Sequence, residues 1–265
     1  MSGAVDAGMR PRLLLSEFTK LLTLRPVWIT AVATFAVVVL IGWSQAGPVG
    51  DAIRSNDPEL APGAAPATVG FDWVALGLVG VIVIGVVSAG SEYVTGQLRT
   101  ALLVVPNRAR LYLAKCAALL VFVTVLGVVT IPLLSLLSQS SLKELSVIQG
   151  AVPADLVFRW IGAIGFWDAV ALIGFALAVL LRQSLIPLFL LIVVSQLSLM
   201  LLLLSPAFVY LPTIAGILLF DPGLVTASYP QATLILPVAA SLTAAWTLVL
   251  LGFAGWRFIS RDVRN

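Results

Sequence analysis

Hydrophobic residues along the chain are gathered into six long runs, which are separated by shorter polar segments. Each run is about 17 to 22 residues long, the length that a helix needs to cross a hydrocarbon layer of about 30 Å. The runs lie at residues 27–43, 73–89, 116–137, 161–181, 185–204 and 234–255. This pattern predicts an all-α polytopic membrane protein, with six transmembrane helices in a single transmembrane domain over residues 1–265.

The first run, residues 27–43, has an alternative interpretation as the core of a secretory signal. A basic leader precedes it, and the small-residue stretch Ser44, Gln45, Ala46 follows it. The leader is long, however, and the run exceeds the 7 to 15 residues usual for a signal core. We therefore expect a transmembrane helix, and a mature chain that began at Gly47 would contradict the six-helix prediction.

The segment before the first run, residues 10–25, has the pattern of an amphipathic helix that lies flat in the inner membrane interface. A simple anchor without further function is an equally open interpretation. Arg25-Pro26 separates this helix from the first run, because proline disfavours helical geometry in the residue before it. The apolar side holds Leu14, Leu15, Phe18, Leu21 and Leu22, and the polar side holds Ser16, Thr19, Lys20 and Thr23.

Residues 91–115 form an inner loop with a definite helical pattern. Glu92, Thr95 and Arg99 would share one face of a helix that ends at Pro106, and Asn107 is expected to cap the next helix. Arg108, Arg110 and Lys115 would extend toward the phosphate layer at the base of that helix. The segment suits contact with a cytoplasmic partner, and a lipid-bound interface helix is the alternative.

Two outer segments differ in character. Residues 46–72 are rich in proline, glycine, alanine and acids, which favours a solvated, irregular spacer. Residues 206–222 are apolar but too short to span, and prolines interrupt them. They are expected to form short re-entrant helices between the fifth and sixth spans.

Composition agrees with lipid as the main solvent, since 60% of the residues are hydrophobic and 10% are charged. Histidine is absent and Cys116 is the single cysteine, which excludes most metal sites and nucleophile-histidine relays. None of the three lysines follows a P-loop pattern. No cofactor is therefore expected on this chain, and nucleotide energy would have to come from a partner.

The basic residues indicate the orientation, since cytoplasmic flanks are enriched in lysine and arginine. With the N-terminus inside, twelve of the fifteen lie on the inner side and three lie outside. We expect a multi-pass protein of the cell membrane with both termini cytoplasmic, and no nucleic-acid partner. The inner residues are Arg10, Arg12, Lys20, Arg25, Arg99, Arg108, Arg110, Lys115, Arg182, Arg257, Arg261 and Arg264, and the outer residues are Arg54, Lys143 and Arg159.

Two polar residues inside the predicted spans are candidates for a translocation pathway. Asp168 is the one plainly embedded charge, in the outer half of the fourth run. Intramembrane carboxylates are costly and suggest function, although access to water or a pair with Arg159 would explain this one without transport. Gln196 in the fifth run is a weaker candidate, for which an interhelical hydrogen bond is the simplest role.

Several motifs together resemble the permease subunits of type-2 ABC exporters, in particular actinobacterial drug and lantibiotic exporters. The similarity covers most of the chain and includes the six-span topology with both ends inside. Its residues are Glu17, Lys20, Arg25 and Trp28, then Glu92, Gly96, Arg99, Pro106, Arg108 and Ala114-Lys115, and in the outer region Tyr210-Leu211-Pro212 with Ala215-Gly216.

The resemblance implies a pair of permease subunits, taken as a homodimer, docked on two cytoplasmic ATPase subunits that hold ATP and Mg. The N-terminal helix and the first inner loop would receive the ATPase stroke, and substrate would leave between the permease halves. The implied coupling residues are Glu17, Lys20, Glu92, Thr95, Gly96, Arg99, Pro106 and Arg108.

The leading hypothesis is the membrane-spanning permease subunit of an ATP-binding cassette exporter that moves an amphipathic or hydrophobic substrate out of the cell. ATP hydrolysis would take place on the partner chain, so this chain would not itself be an enzyme. The first alternative is a proton-coupled secondary transporter that uses Asp168. The second, a membrane enzyme, would need polar residues clustered at one depth, which the sequence does not supply.

Overall fold

The computed structural model describes residues 2–60, 63–95, 107–231 and 234–260. Regular structure within these ranges is helical, without strands. Short 3-10 helices lie at Lys143–Leu145 and Pro206–Tyr210. The α-helices of the described residues are α1 (Ser2–Thr23), α2 (Arg25–Ser55), α3 (Asp72–Thr95), α4 (Arg108–Ser141), α5 (Ala154–Leu181), α6 (Leu185–Leu201), α7 (Pro212–Ile217), α8 (Pro222–Ser228) and α9 (Leu236–Ser260).

The predicted all-α polytopic architecture is confirmed. Within the described ranges, α2, α3, α4, α5 and α9 are long and apolar enough to cross a membrane, whereas α6 is apolar but has only 17 residues. The helix ends at Leu201, and residues 202–204 of the predicted run form a turn instead. At 1.5 Å per residue α6 is about 26 Å long, close to the ~30 Å of a hydrocarbon core.

The first hydrophobic run forms an integral helix of the bundle. Val27 and Val38 of α2 are completely buried, and α2 packs against both α3 and α4. The boundary with α1 lies at Leu24, whose extended backbone (φ −71°, ψ 103°) interrupts the helix one residue before Arg25-Pro26. The predicted break is therefore present, and proline occupies the first turn of α2, where its missing N–H costs nothing.

Helices α3 and α5 form the centre of the bundle. They pack along each other, and Trp167 of α5 is fully buried and donates its indole N–H to the carbonyl of Val74 at 3.1 Å. Close approach depends on small residues, because a Cβ at Gly85 would overlap the backbone carbonyl of Ala171. Small side chains let membrane helices approach until their backbones touch.

The predicted solvated spacer at residues 46–72 is wrong over much of its length. α2 continues to Ser55, and Val69 and Phe71 are buried. Gln139 of α4 donates from Nε2 to the carbonyl of Pro66 at 2.7 Å and accepts from the Val147 N–H at 2.9 Å. The long-range bond from Gln139 gives the Pro66 carbonyl of the loop a fixed partner, which a composition argument does not detect.

Short helices follow α6, as the sequence predicts. α7 packs against α5 and α9, and a Cβ at Gly216 of α7 would overlap the ring of Phe166. Phe166 lies twelve residues, or about 18 Å, from the start of α5 at Ala154. α7 therefore lies along the long helices instead of resting on their ends, and its re-entry into the membrane stays a prediction.

Asp221, at the start of α8, provides a pH-dependent test of this region. It is 3% exposed, and its Oδ1 accepts from the Leu224 N–H at 3.2 Å. The pKa of Asp221 is raised to about 6, mainly by burial and further by repulsion from Asp72. The hydrogen bond from Leu224 and the positive charge of Arg159 oppose this rise. Since this pKa lies above that of an unfolded aspartate, near 4, stability should increase as pH falls from about 7 to 4.

Asp221→Asn keeps an oxygen for the cap and removes the buried charge. In the wild type we expect the melting temperature in detergent to rise as the pH is lowered from 7 to 5. In Asp221→Asn we expect this rise to be smaller. Asp57→Asn is the control, because this exposed aspartate also accepts a local backbone N–H, from Glu59, at 2.9 Å. An unchanged pH profile in Asp221→Asn would show that this carboxylate does not titrate as argued.

Candidate functional site

A buried group of charged side chains lies at the end of the bundle where α1 meets the end of α3 and the start of α4. Lys115 Nζ donates to Glu17 Oε2 at 2.7 Å and also to Oε1 of Glu92. Lys20 Nζ donates to Glu17 Oε1 at 2.5 Å. Glu17, Glu92 and Lys115 are 5%, 8% and 8% exposed. We call these four residues the basic-end cluster.

Local sequence places each member of the basic-end cluster. Asn107 caps α4 through its side chain, as predicted, which fixes Lys115 two turns into that helix. Glu17 and Lys20 are three residues apart and therefore share one side of α1. α3 continues past the end of the second hydrophobic run to Thr95, which brings its glutamate to the level at which α1 crosses α4.

The charges of the cluster compensate one another, with two carboxylates and two ammonium groups. Burial raises the pKa of Glu17, but attraction and hydrogen bonds from Lys115 and Lys20 outweigh it, and the net pKa is lowered. Glu17 is therefore ionised at neutral pH. Buried ions tolerate desolvation only when fully paired, so the cluster specifies the position of α1 on α3 and α4.

A small cavity borders the cluster. Its volume is about 20 Å³, and Ser88 and Phe175 line it together with the charged residues. This is enough for about one water molecule. The cavity is too small for a substrate. The cluster can therefore hold the three helices together, but it has no space in which a substrate could react.

The predicted coupling residues fall into three groups. Glu17, Lys20 and Glu92 come together in the basic-end cluster. Arg108 is the first residue of α4 and Thr95 the last of α3. Gly96, Arg99 and Pro106 lie outside the described residues, together with the rest of residues 96–106 of the predicted 91–115 coupling loop.

Lys115 is the central residue that sequence reasoning placed wrongly. We expected it to extend toward lipid phosphates, but it points inward and binds two carboxylates. A signal was available, because Glu17 and Glu92 are acids close to the hydrophobic runs on a side dominated by bases. Buried acids need cations, and Lys115 is the lysine that the helix geometry brings within reach of both.

Asp168 lies near the midpoint of α5, fourteen residues from Ala154 and thirteen from Leu181, since α5 begins earlier than the hydrophobic run. Its Oδ2 accepts a hydrogen bond from Thr124 of α4 at 2.8 Å, and its Oδ1 is buried without a partner among the described residues. Arg159 does not pair with it, because that guanidinium binds Asp155 instead, at 3.0 Å. Asp168 thus joins α5 to α4 at mid-helix.

Gln196 is the weaker of the two residues predicted for a translocation pathway. Gln196 is exposed on the surface of α6, and no hydrogen bond from the described residues of this chain reaches its side chain. Its neighbours Ser195 and Ser198 are buried and bond to carbonyls within α6, at 3.0 Å to Ile192 and 2.8 Å to Ser195. The predicted interhelical bond is therefore not formed within the described chain.

Comparison with known families gives one match over most of the chain. Residues 13–198 match the family described as "ABC-2 family transporter protein". The matched region includes all four members of the basic-end cluster and the helices α2 to α5 that carry the core. No curated protein matches the chain.

Proposed function

The chain belongs to the ABC-2 family of transporter proteins and is a membrane permease of an ABC transporter; from this premise we propose that it serves an exporter driven by a separate ATPase. Two ATPase subunits, which hold ATP and Mg, would dock on the cytoplasmic side of a permease pair. Both termini of this chain would face the cytoplasm. The cargo would be amphipathic or hydrophobic, in keeping with the apolar surfaces of the spans.

The basic-end cluster is the observation that supports this proposal. It ties α1, which lies outside the spanning bundle, to α3 and α4, which enter the core. Displacement of α1 or of the segment after α3 would therefore act directly on two spanning helices. An ATPase that closes on nucleotide could move the cluster as a unit and shift the permease between inward and outward access.

Reconstitution with an ABC ATPase subunit of the source organism tests the function. We expect the two proteins to copurify and the complex in vesicles to move a hydrophobic fluorescent drug probe only when ATP and Mg are present. The control complex carries an ATPase with its catalytic glutamate replaced. Failure of the two chains to associate, or transport that persists without hydrolysis, would contradict the proposal.

Asp168→Asn separates this proposal from proton-coupled transport. Asparagine can still accept the hydrogen bond from Thr124 but cannot carry a transported proton. We expect ATP-driven flux to stay within about twofold of wild type, and an imposed pH gradient to drive no flux in either protein. Flux driven by the gradient in wild type and abolished in Asp168→Asn would favour the secondary transporter.

A further inference from the structure

An apolar groove lies beside the basic-end cluster, on the opposite side of α1. It has a volume of about 350 Å³ and is open along one side. Apart from Ala31 and Phe122, its lining side chains are partly or largely exposed. Residues that line it include Phe18 and Leu22 of α1, Trp28 and Val32 of α2, and Val125 and Val129 of α4.

The groove runs along part of one membrane leaflet. On α2 its lining extends from Trp28 to Phe35, seven residues or about 10 Å. This is shorter than the half of a hydrocarbon core, about 15 Å, that one leaflet supplies. Trp28, which is 52% exposed, lies one helical turn after Arg25 on α2. Membrane interfaces favour this order, with the basic residue outermost and the tryptophan at the level of the headgroups.

A positive charge stands at the basic end of the groove. Arg25, Trp28 and Val32 are spaced i, i+3 and i+7 on α2 and therefore share one face. Arg25 is exposed. An apolar groove with a guanidinium one helical turn beyond its end is complementary to an anionic lipid.

We propose that this groove binds one anionic phospholipid of the cytoplasmic leaflet, with an acyl chain between α1, α2 and α4 and its phosphate at Arg25. The inference rests on the orientation proposed above. The floor of the groove includes the small, buried side chain of Ala31. The lipid would hold α1 from the side opposite Glu17. It would thereby keep the ion pairs of the basic-end cluster in contact.

Native mass spectrometry of the full-length protein tests the site without ATP, ATPase or cargo, so its outcome is independent of the proposed export. The protein is titrated with phosphatidylglycerol or with phosphatidylcholine of the same acyl composition. We expect one tightly retained phosphatidylglycerol per chain, and about fivefold weaker retention in Arg25→Gln, the effect of one basic residue at a lipid surface. Lys143→Gln, which removes an exposed charge at the opposite end, should bind as wild type.

Val32→Trp places an indole in the groove and should weaken retention by about tenfold or more, since each excluded methylene costs about fourfold. Val249→Trp is the matched control, because Val249 is 66% exposed on α9, away from the groove. Equal retention of phosphatidylcholine would overturn the headgroup assignment. A lost dimer with unchanged lipid in Val32→Trp would assign the groove to a second copy and overturn the proposal.

Discussion

Replacement of Lys115 by methionine is expected to have the largest effect of any single substitution at the basic-end cluster. It would leave Glu17 and Glu92 facing each other in a buried site, with only Lys20 to compensate one of them. Removing one partner of a buried ion pair costs about 3–5 kcal/mol. We expect a much lower melting temperature in detergent, faster proteolysis within α1, and ATP-driven flux reduced at least tenfold.

Two further variants make this prediction specific. Lys143→Met removes an exposed lysine at the opposite end and should leave stability and flux unchanged. The triple variant Glu17→Gln, Glu92→Gln, Lys115→Met leaves no buried unpaired charge, because Lys20, which loses its partner Glu17, has a side chain that is 46% exposed. Its stability should therefore return to within about 1 kcal/mol of wild type. If the cluster transmits the ATPase stroke, flux in this stable variant stays low. Wild-type flux there would show that the cluster serves stability alone.

Gly85→Ala is expected to weaken the centre of the bundle. A Cβ at this position would overlap the backbone carbonyl of Ala171, which cannot rotate away as a side chain could. Helices α3 and α5 would have to separate along their whole contact. Overpacking costs about 1–3 kcal/mol when side chains can adjust, and we expect the upper end of that range here. Thermal unfolding in detergent and the fraction of monodisperse protein measure the effect.

Gly165→Ala is the matched control for this substitution. Gly165 lies on α5 itself, and no neighbouring atom lies within 4 Å of a Cβ built there. Alanine also has the higher helix propensity, by about 1 kcal/mol, so this variant should be neutral or slightly more stable. Equal destabilisation by both substitutions would mean that glycine in these helices serves flexibility and not close packing.

The contrast between Gly165 and Gly85 shows where sequence reasoning stops. The four-residue spacing of Gly165 and Ala169 is typical of a packing face. Gly165 nevertheless meets open space, whereas Gly85 lies against a backbone carbonyl. Spacing identifies which residues share a face of a helix. It does not identify the helix that the face meets, because that depends on the arrangement of the whole bundle.

The sequence by itself determined the all-α membrane architecture, the boundary near Arg25-Pro26 and the cap at Asn107. These follow from local physics: the length of hydrophobic runs, the geometry before proline and the hydrogen bonds of a helix end. The sequence also selected Glu17 and Glu92 through their resemblance to a family, without showing that they meet.

Tertiary structure alone decided that Lys115 points inward to both glutamates, that Pro66 in residues 46–72 binds Gln139, and that Asp168 binds Thr124. Each of these contacts joins residues distant in the chain, and no periodicity within one segment encodes its partner in another. The physical reason is common to all three. A polar group that leaves water must find a partner, but only the packing of the helices determines which one lies within reach.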